Sequence, residues 1–74
     1  MTIFSFNGQN GMRDFDVRLR MGVFELWTRN EKLKEKWHPV KTSFLDNQTD
    51  AANELYFWST TQNWAEYNPH TKDD

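Results

Sequence analysis

The side chains of this chain that could do chemistry are two histidines and a handful of serines. A transition-metal site would need His38 and His70 to meet carboxylates in space, because the two histidines are not spaced as a ligand pair on one helical turn. Nucleophilic catalysis needs a nucleophile, a base and a group that orients the base. Ser43 or Ser59 could be combined with His38, but nothing in the local sequence marks an activated serine. The sequence therefore predicts neither a metal centre nor a catalytic nucleophile.

Paired carboxylates and cysteines are the other residues with catalytic potential. Asp14 and Asp16 lie on the same face of a predicted strand with arginines beside them, which is typical of a solvated charged face. The chain has no cysteine, which excludes disulfides and thiolate metal sites and is compatible with a reducing cytoplasm. We therefore expect a protein that is not an enzyme and has no cofactor.

Basic side chains interleaved with aromatic ones offer binding chemistry instead. The basic members are Arg13, Arg18, Arg20, Arg29, Lys32, Lys34 and Lys36, and the aromatic members are Phe15, Phe24, Trp27 and Trp37. On a sheet, such residues hold single-stranded nucleic acid by neutralising phosphates and stacking on bases. Five acidic residues share this region, however, and the pI of 5.6 is far from that of a nucleic-acid-binding domain. A solvated face, a protein-docking face and a nucleic-acid-binding face remain alternatives.

The charges are separated along the chain. Residues 1–41 contain eight basic and five acidic side chains, a net charge of +3, whereas residues 42–74 contain one basic and six acidic side chains, a net charge of −5. The total of −2 therefore hides a bipolar molecule. Such a charge distribution steers and orients binding partners, and says little about chemistry.

The size and composition indicate one small domain that depends on aromatic packing. Seventy-four residues make one domain at most, and a chain this short has little stability to spare. Twelve residues are Phe, Trp or Tyr, which is more than so small a core needs. Some of them should reach the surface, where Trp, Tyr and Arg are the side chains that most often contribute interface energy.

The clearest predicted element is a β-hairpin. Residues 14–21 alternate between charged and apolar side chains, which predicts a half-buried strand. A two-residue loop at Met21 and Gly22 would set four pairs opposite one another: Leu19 with Phe24, Val17 with Leu26, Arg18 with Glu25, and Asp14 with Arg29. Two pairs are apolar and two are opposite in charge, which favours the hairpin. A single bent strand with a bulge at Gly22 is the alternative.

The rest of the chain is less regular. Residues 1–12 combine a short apolar stretch with a Gly- and Asn-rich loop, which predicts a flexible arm, with a terminal strand as the alternative. Residues 30–36 suit a helix or a third strand, of which we favour the strand, and Pro39 should end it. Residues 55–61 have the composition of a strand. However, the apolar positions from Ala51 to Ala65 fall at helical spacing behind a cap at Thr49 or Asp50, which favours a helix.

These elements define the predicted fold class. We expect one α+β domain over residues 13–68, with a small antiparallel sheet between about residues 13 and 40 followed by one helix. The sheet would be a hairpin or a three-stranded meander. The polar residues 69–74 should be a disordered tail.

A short, cysteine-free chain that is rich in aromatics, mixed in charge and without a catalytic signature resembles the small regulators with which lytic bacteriophages take over host RNA polymerase. The resemblance covers the whole chain in size and character, and residues 1–11 and 13–21 are its most suggestive stretches. It implies docking on the large subunit of bacterial RNA polymerase, displacement of the promoter-recognition factor and cooperation with a host elongation factor. Transcription would be inhibited, or terminators read through. An inhibitor of a host defence nuclease would share these general features.

Six residues are predicted to contact the partner: Phe4, Phe6, Arg13, Arg18, Arg20 and Trp27. Guanidiniums bind carboxylates in bidentate fashion, and aromatic side chains are common interface anchors. Nucleic acid is expected to be contacted indirectly or weakly. No apolar run approaches the length of about 20 residues that spans a bilayer, and no signal peptide is evident. We therefore expect a cytoplasmic monomer that acts in the bacterial host if a phage encodes it.

Overall fold

The computed structural model describes residues 1–8 and 13–67. It contains strands β1 (Thr2–Asn7), β2 (Asp14–Arg20), β3 (Val23–Arg29) and β4 (His38–Ser43), and the helix α1 (Gln48–Thr60). The four strands form one antiparallel sheet in the order β1-β2-β3-β4. The predicted α+β class, a small antiparallel sheet followed by one helix, is confirmed. No helix in these residues is long and apolar enough to cross a membrane.

The β2–β3 hairpin has the predicted register. Leu19 lies opposite Phe24 and Val17 opposite Leu26, and the two pairs of opposite charge also face each other as expected. The two loop residues, Met21 and Gly22, have φ angles of 53° and 78°. A two-residue hairpin loop of this hand matches the twist of the strands. Methionine occupies a position where asparagine is usual. Its Cβ atom disfavours the left-handed backbone conformation, so the strand pairing has to hold Met21 there.

The first strand adds to the hairpin at its outer edge. The backbone amide of Leu19 donates to the carbonyl oxygen of Met1 at 2.9 Å, and the side chains of Ile3 and Phe6 pack against the core. Residues 2–7 therefore form the terminal strand that the sequence left as an alternative, which corrects the expected flexible arm for those residues. Residues 9–12 of that arm and the predicted tail 69–74 lie outside the described residues.

The segment between β3 and β4 is neither a helix of usual length nor a third strand. Residues Glu31–Leu33 form one 3₁₀ turn, capped by the side chain of Asn30, which accepts a hydrogen bond from the Leu33 amide at 3.3 Å. Lys34 follows with a φ of 56° and ends the turn. The next strand begins at His38 and includes Pro39. Pro39 is predicted to end the element of residues 30–36. It lies instead within β4, because an edge strand tolerates a residue without an N–H group.

The helix covers one face of the sheet and completes the core. Asn47 caps α1 by accepting a hydrogen bond from the Asp50 amide at 3.0 Å, so the cap precedes the predicted positions. The helix ends at Thr60, short of Ala65. It packs chiefly against β3 and β4. The buried apolar residues of the core are Phe15, Val17, Phe24, Leu26, Ala51 and Leu55.

Candidate protein-docking surface

The face of the sheet turned away from α1 carries a layer of arginine and tryptophan side chains. Because alternate residues of a strand point to opposite faces, burial of Phe15 and Val17 beneath the helix turns their neighbours outward. We call this side the open face. Its members are Asp14, Asp16, Arg18, Arg20, Glu25, Trp27, Arg29 and Trp37.

Guanidinium groups cover both indole rings of the open face. The guanidinium carbon of Arg18 lies 4.5 Å from the ring centroid of Trp27 and 5.1 Å from that of Trp37. Arg29 lies 5.1 Å from Trp37, and Arg20 lies 5.6 Å from Trp27. Each contact is within the range of a cation–π interaction. Arg18 therefore joins the two tryptophans into one half-buried layer.

Every arginine of the open face also has a carboxylate partner. Arg18 bonds to Asp16 at 3.1 Å, and Arg29 bonds to Asp14 at 3.2 Å. Arg20 bonds to Glu25 at 3.0 Å. The three positive and three negative charges balance. The open face is thus electrically neutral, and its planar groups are held in place before any partner arrives.

Glu25 connects an ion pair to an indole. Its Oε1 atom accepts hydrogen bonds from Nε of Arg20 and from Nε1 of Trp27, each at 3.0 Å. Burial alone would raise the pKa of this carboxyl, but the two donors and the charge of Arg20 outweigh burial and lower the pKa. Glu25 is therefore ionised at neutral pH and fixes the orientation of the Trp27 ring.

The structure divides the six predicted partner-binding residues into two groups. Arg18, Arg20 and Trp27 come together on the open face, as their shared alternation predicts. Phe4 and Phe6 lie on the helix side of the sheet. Phe6 stacks on Phe15 with ring centroids 4.9 Å apart and is part of the apolar packing, whereas Phe4 is 43% exposed.

Arg13 is buried and cannot contact a partner in this conformation. It is 3% exposed, and its two terminal nitrogens bond to the two carboxylate oxygens of Glu35 at 2.7 and 2.8 Å. The rings of Trp64 and Tyr67 lie 5.2 and 5.1 Å from its guanidinium carbon. The predicted partner-binding role of Arg13 is therefore corrected to a structural one. The signal was present in the sequence, because positions 13, 15 and 17 share the core side of the strand.

Two members of the arginine–tryptophan layer on the open face, Arg29 and Trp37, were missing from the predicted partner-binding set. Trp37 precedes β4, and its ring reaches over the sheet to Arg18 and Arg29. Arg29 could have been included from the hairpin register, which places it beside Asp14. Trp37 could not, because its position depends on the 3₁₀ turn that leads into it.

The groups considered for chemistry are engaged in structural hydrogen bonds. The Ser59 hydroxyl donates to the carbonyl oxygen of Tyr56 at 2.6 Å, and Ser43 Oγ accepts from the Leu45 amide at 3.3 Å. Nδ1 of His38 lies 2.7 Å from the Lys36 carbonyl oxygen. Within residues 1–8 and 13–67, no three His, Cys, Asp or Glu side chains are grouped to hold a metal ion.

The buried ion pair makes stability depend on pH. Burial alone would raise the pKa of Glu35, but the hydrogen bonds and charge of Arg13 outweigh it and hold the pKa below its ordinary value of 4.5. A carboxyl group whose pKa is lower in the folded than in the unfolded state stabilises the fold when the pH is above its unfolded pKa. This stabilisation is lost as the pH falls through the folded-state pKa. We expect urea midpoints to decline below about pH 4.5. The Glu35→Gln variant should show a smaller decline, and an equal decline in both proteins would contradict the assignment.

Comparison of the chain with protein-family models, with curated proteins and with solved structures finds no match.

Proposed function

We propose that this chain is a non-enzymatic regulator that binds a protein partner through the open face of its sheet. The observation that carries the proposal is the neutral layer in which Arg18, Arg20 and Arg29 cover Trp27 and Trp37 while each is paired with a carboxylate. Tryptophan and arginine are the side chains most enriched among interface residues that dominate binding energy. Because their rotamers are already fixed, docking costs little additional side-chain entropy.

The neutrality of the open face favours a protein over nucleic acid. Binding of single strands draws its affinity from cations that neutralise phosphates. The three arginines would have to leave Asp14, Asp16 and Glu25 to do so, and the carboxylates left behind would repel the phosphates. A protein surface can instead pack on the layer of guanidiniums and indoles while the ion pairs stay intact. A single-stranded nucleic acid is the second candidate, favoured by arginines and indole rings side by side on a four-stranded sheet.

The proposed partner is the large subunit of bacterial RNA polymerase, reached in the bacterial cytoplasm. The resemblance in size and character to small phage regulators supports this choice, and binding would inhibit initiation or promote read-through of terminators with a host elongation factor. A host defence nuclease is the alternative protein target.

Affinity capture from a bacterial lysate tests the class of partner. We expect polymerase subunits to be retained on the immobilised chain after the lysate has been treated with nuclease. Capture of a nuclease instead of polymerase would identify the alternative target. Loss of all partners after nuclease treatment would show that nucleic acid is the ligand, and its binding would then weaken steeply with salt.

Replacing Trp27 by alanine should remove most of the affinity. Truncating a central interface anchor costs about 2 kcal/mol or more, which corresponds to a roughly 30-fold rise in Kd. The matched control is Phe57→Ala, because Phe57 is 71% exposed on α1 and lies on the other side of the sheet. Titration of each folded variant against the captured partner measures the effect. A loss of affinity in Phe57→Ala but not in Trp27→Ala would place docking on the helix and overturn the assignment.

A further inference from the structure

The two edges of the sheet differ in how they are protected. An exposed edge strand offers unpaired backbone groups to other strands, and proteins commonly block it with proline, lysine or a bulge. β4 has all three, since it contains Pro39 and Lys41 and its pairing with β3 shifts register between Leu26 and Trp27. β1, with the sequence TIFSFN, has only a register shift, between Thr2 and Phe4 in its pairing with β2, and has neither proline nor any charged side chain.

The backbone of β1 presents hydrogen-bonding groups to its outer edge, where no strand within residues 1–8 and 13–67 pairs with it. The Gly8 amide donates inward to the Arg13 carbonyl oxygen at 2.7 Å, and the pairing is regular from there to Phe4 opposite Val17. Residues of an antiparallel edge strand direct their N–H and C=O groups alternately inward and outward. Phe4 and Phe6 therefore bond to β2, and the amides of Ser5 and Asn7 face away from the sheet.

An apolar groove adjoins this edge on the helix side. Because α1 packs chiefly against β3 and β4, it leaves a groove of about 430 Å³ between itself and β1. Ile3, Phe4, Ala52 and Tyr56 provide its apolar wall. Phe4 and Tyr56 are 43% and 41% exposed, so the core is incompletely covered at this edge.

We propose that β1 pairs with the β1 strand of a second copy of this chain. Two identical antiparallel strands are related by a two-fold axis, which sets each strand against its own reversed sequence, so a charge near the axis would lie close to its copy. β1 has none. Strand addition selects its partner through pockets for alternate side chains. The groove beside β1 has an apolar wall, and the partly exposed Phe4 that a second copy would bring to this edge is apolar as well.

Pairing would join two sheets into one of eight strands. The two-fold axis would be perpendicular to the sheet, so both α1 helices would lie on one side and the two grooves would meet across the axis. Phe4 of each copy would then be covered by apolar groups of the other. The open faces would continue into one another on the opposite side and present two docking surfaces. Under this proposal a dimer would take the place of the expected monomer, whatever the partner of the open face.

Light-scattering mass measurements over a concentration series test the proposal. We expect the wild-type mass to rise from 8.9 kDa towards twice that value. Ser5→Pro should raise the dimer dissociation constant about 30-fold or more, the effect of two lost backbone hydrogen bonds. The fold should tolerate this proline because the Ser5 amide makes no bond within the sheet. Ser5→Ala keeps the amide and loses only the hydroxyl bond to Asp16, so it should dimerise like the wild type.

A second pair of variants decides the matter if Ser5→Pro does not fold. Phe4→Lys places two positive charges across the two-fold axis and should abolish dimerisation, whereas Phe57→Lys makes the same change on the outer side of α1 and should not. Amide hydrogen exchange gives an independent measure, since Ser5 and Asn7 should become protected as concentration rises. A wild-type mass that stays at 8.9 kDa into the millimolar range would overturn the proposal. A dimer that persists in Phe4→Lys would also overturn it, because the interface would lie elsewhere.

Discussion

The Arg13→Ala variant is expected to be largely unfolded at room temperature. Arg13 and Glu35 are 3% and 1% exposed as side chains, and Arg13 provides both hydrogen bonds that the Glu35 carboxylate accepts from a side chain. Removing one partner of a buried ion pair costs about 3–5 kcal/mol, because the other charge is left without compensation. The core of a domain this small contributes only about 3–5 kcal/mol in total. Circular dichroism and urea titration measure the loss.

Two further variants separate the burial of charge from the loss of an ion pair. Arg20→Ala makes the same change at an exposed pair, where the arginine side chain is 58% exposed, and should cost less than about 1 kcal/mol. The double variant Arg13→Met with Glu35→Leu replaces both charges by apolar groups and should recover much of the stability. A folded Arg13→Ala protein with a midpoint near that of the wild type would show that Glu35 finds water or another partner.

The hairpin could be predicted from the sequence because its information is local. One register is specified by three features: the strict alternation over residues 14–20, the two-residue loop and the two pairs of opposite charge. A shift of the register by one residue would mismatch every one of these pairs. The first strand could not be predicted with the same security. Its apolar residues, Ile3, Phe4 and Phe6, do not alternate, because the register shifts between Thr2 and Phe4.

The open face could be predicted only in part, because only some of its contacts are local to the hairpin. Arg18, Arg20 and Trp27 belong to the hairpin, so their neighbourhood follows from its register. The burial of Arg13 depends on Glu35, which is 22 residues away and held beyond a 3₁₀ turn that no periodic pattern marks. Contacts of this kind depend on how a loop closes, and the sequence pattern of the strands contains no information about it.

The ion pairs of the fold neutralise much of the basic charge that the sequence places in residues 1–41. Arg13, Arg18, Arg20 and Arg29 are all paired with carboxylates. Among the described residues, the basic side chains without such a pair are Lys32, Lys34, Lys36 and Lys41, of which the first three lie in or beside the 3₁₀ turn. The acidic residues Asp46, Asp50 and Glu54 lie before or within the first half of α1. The charge asymmetry that remains therefore comes from these lysines and carboxylates and not from the arginines.

The Leu26→Ala variant should cost about 2–5 kcal/mol, the range for deleting a fully buried leucine side chain. Leu26 is 0% exposed and lies opposite Val17 at the centre of the sheet. The same change at Leu33, which is 61% exposed in the 3₁₀ turn, should alter the free energy of unfolding by no more than about 0.5 kcal/mol. Leu19, partly buried at the edge of the core, should fall between them. Urea titration of the three variants would contradict the assignment of faces if Leu33→Ala were as destabilising as Leu26→Ala, because the turn would then pack on the core.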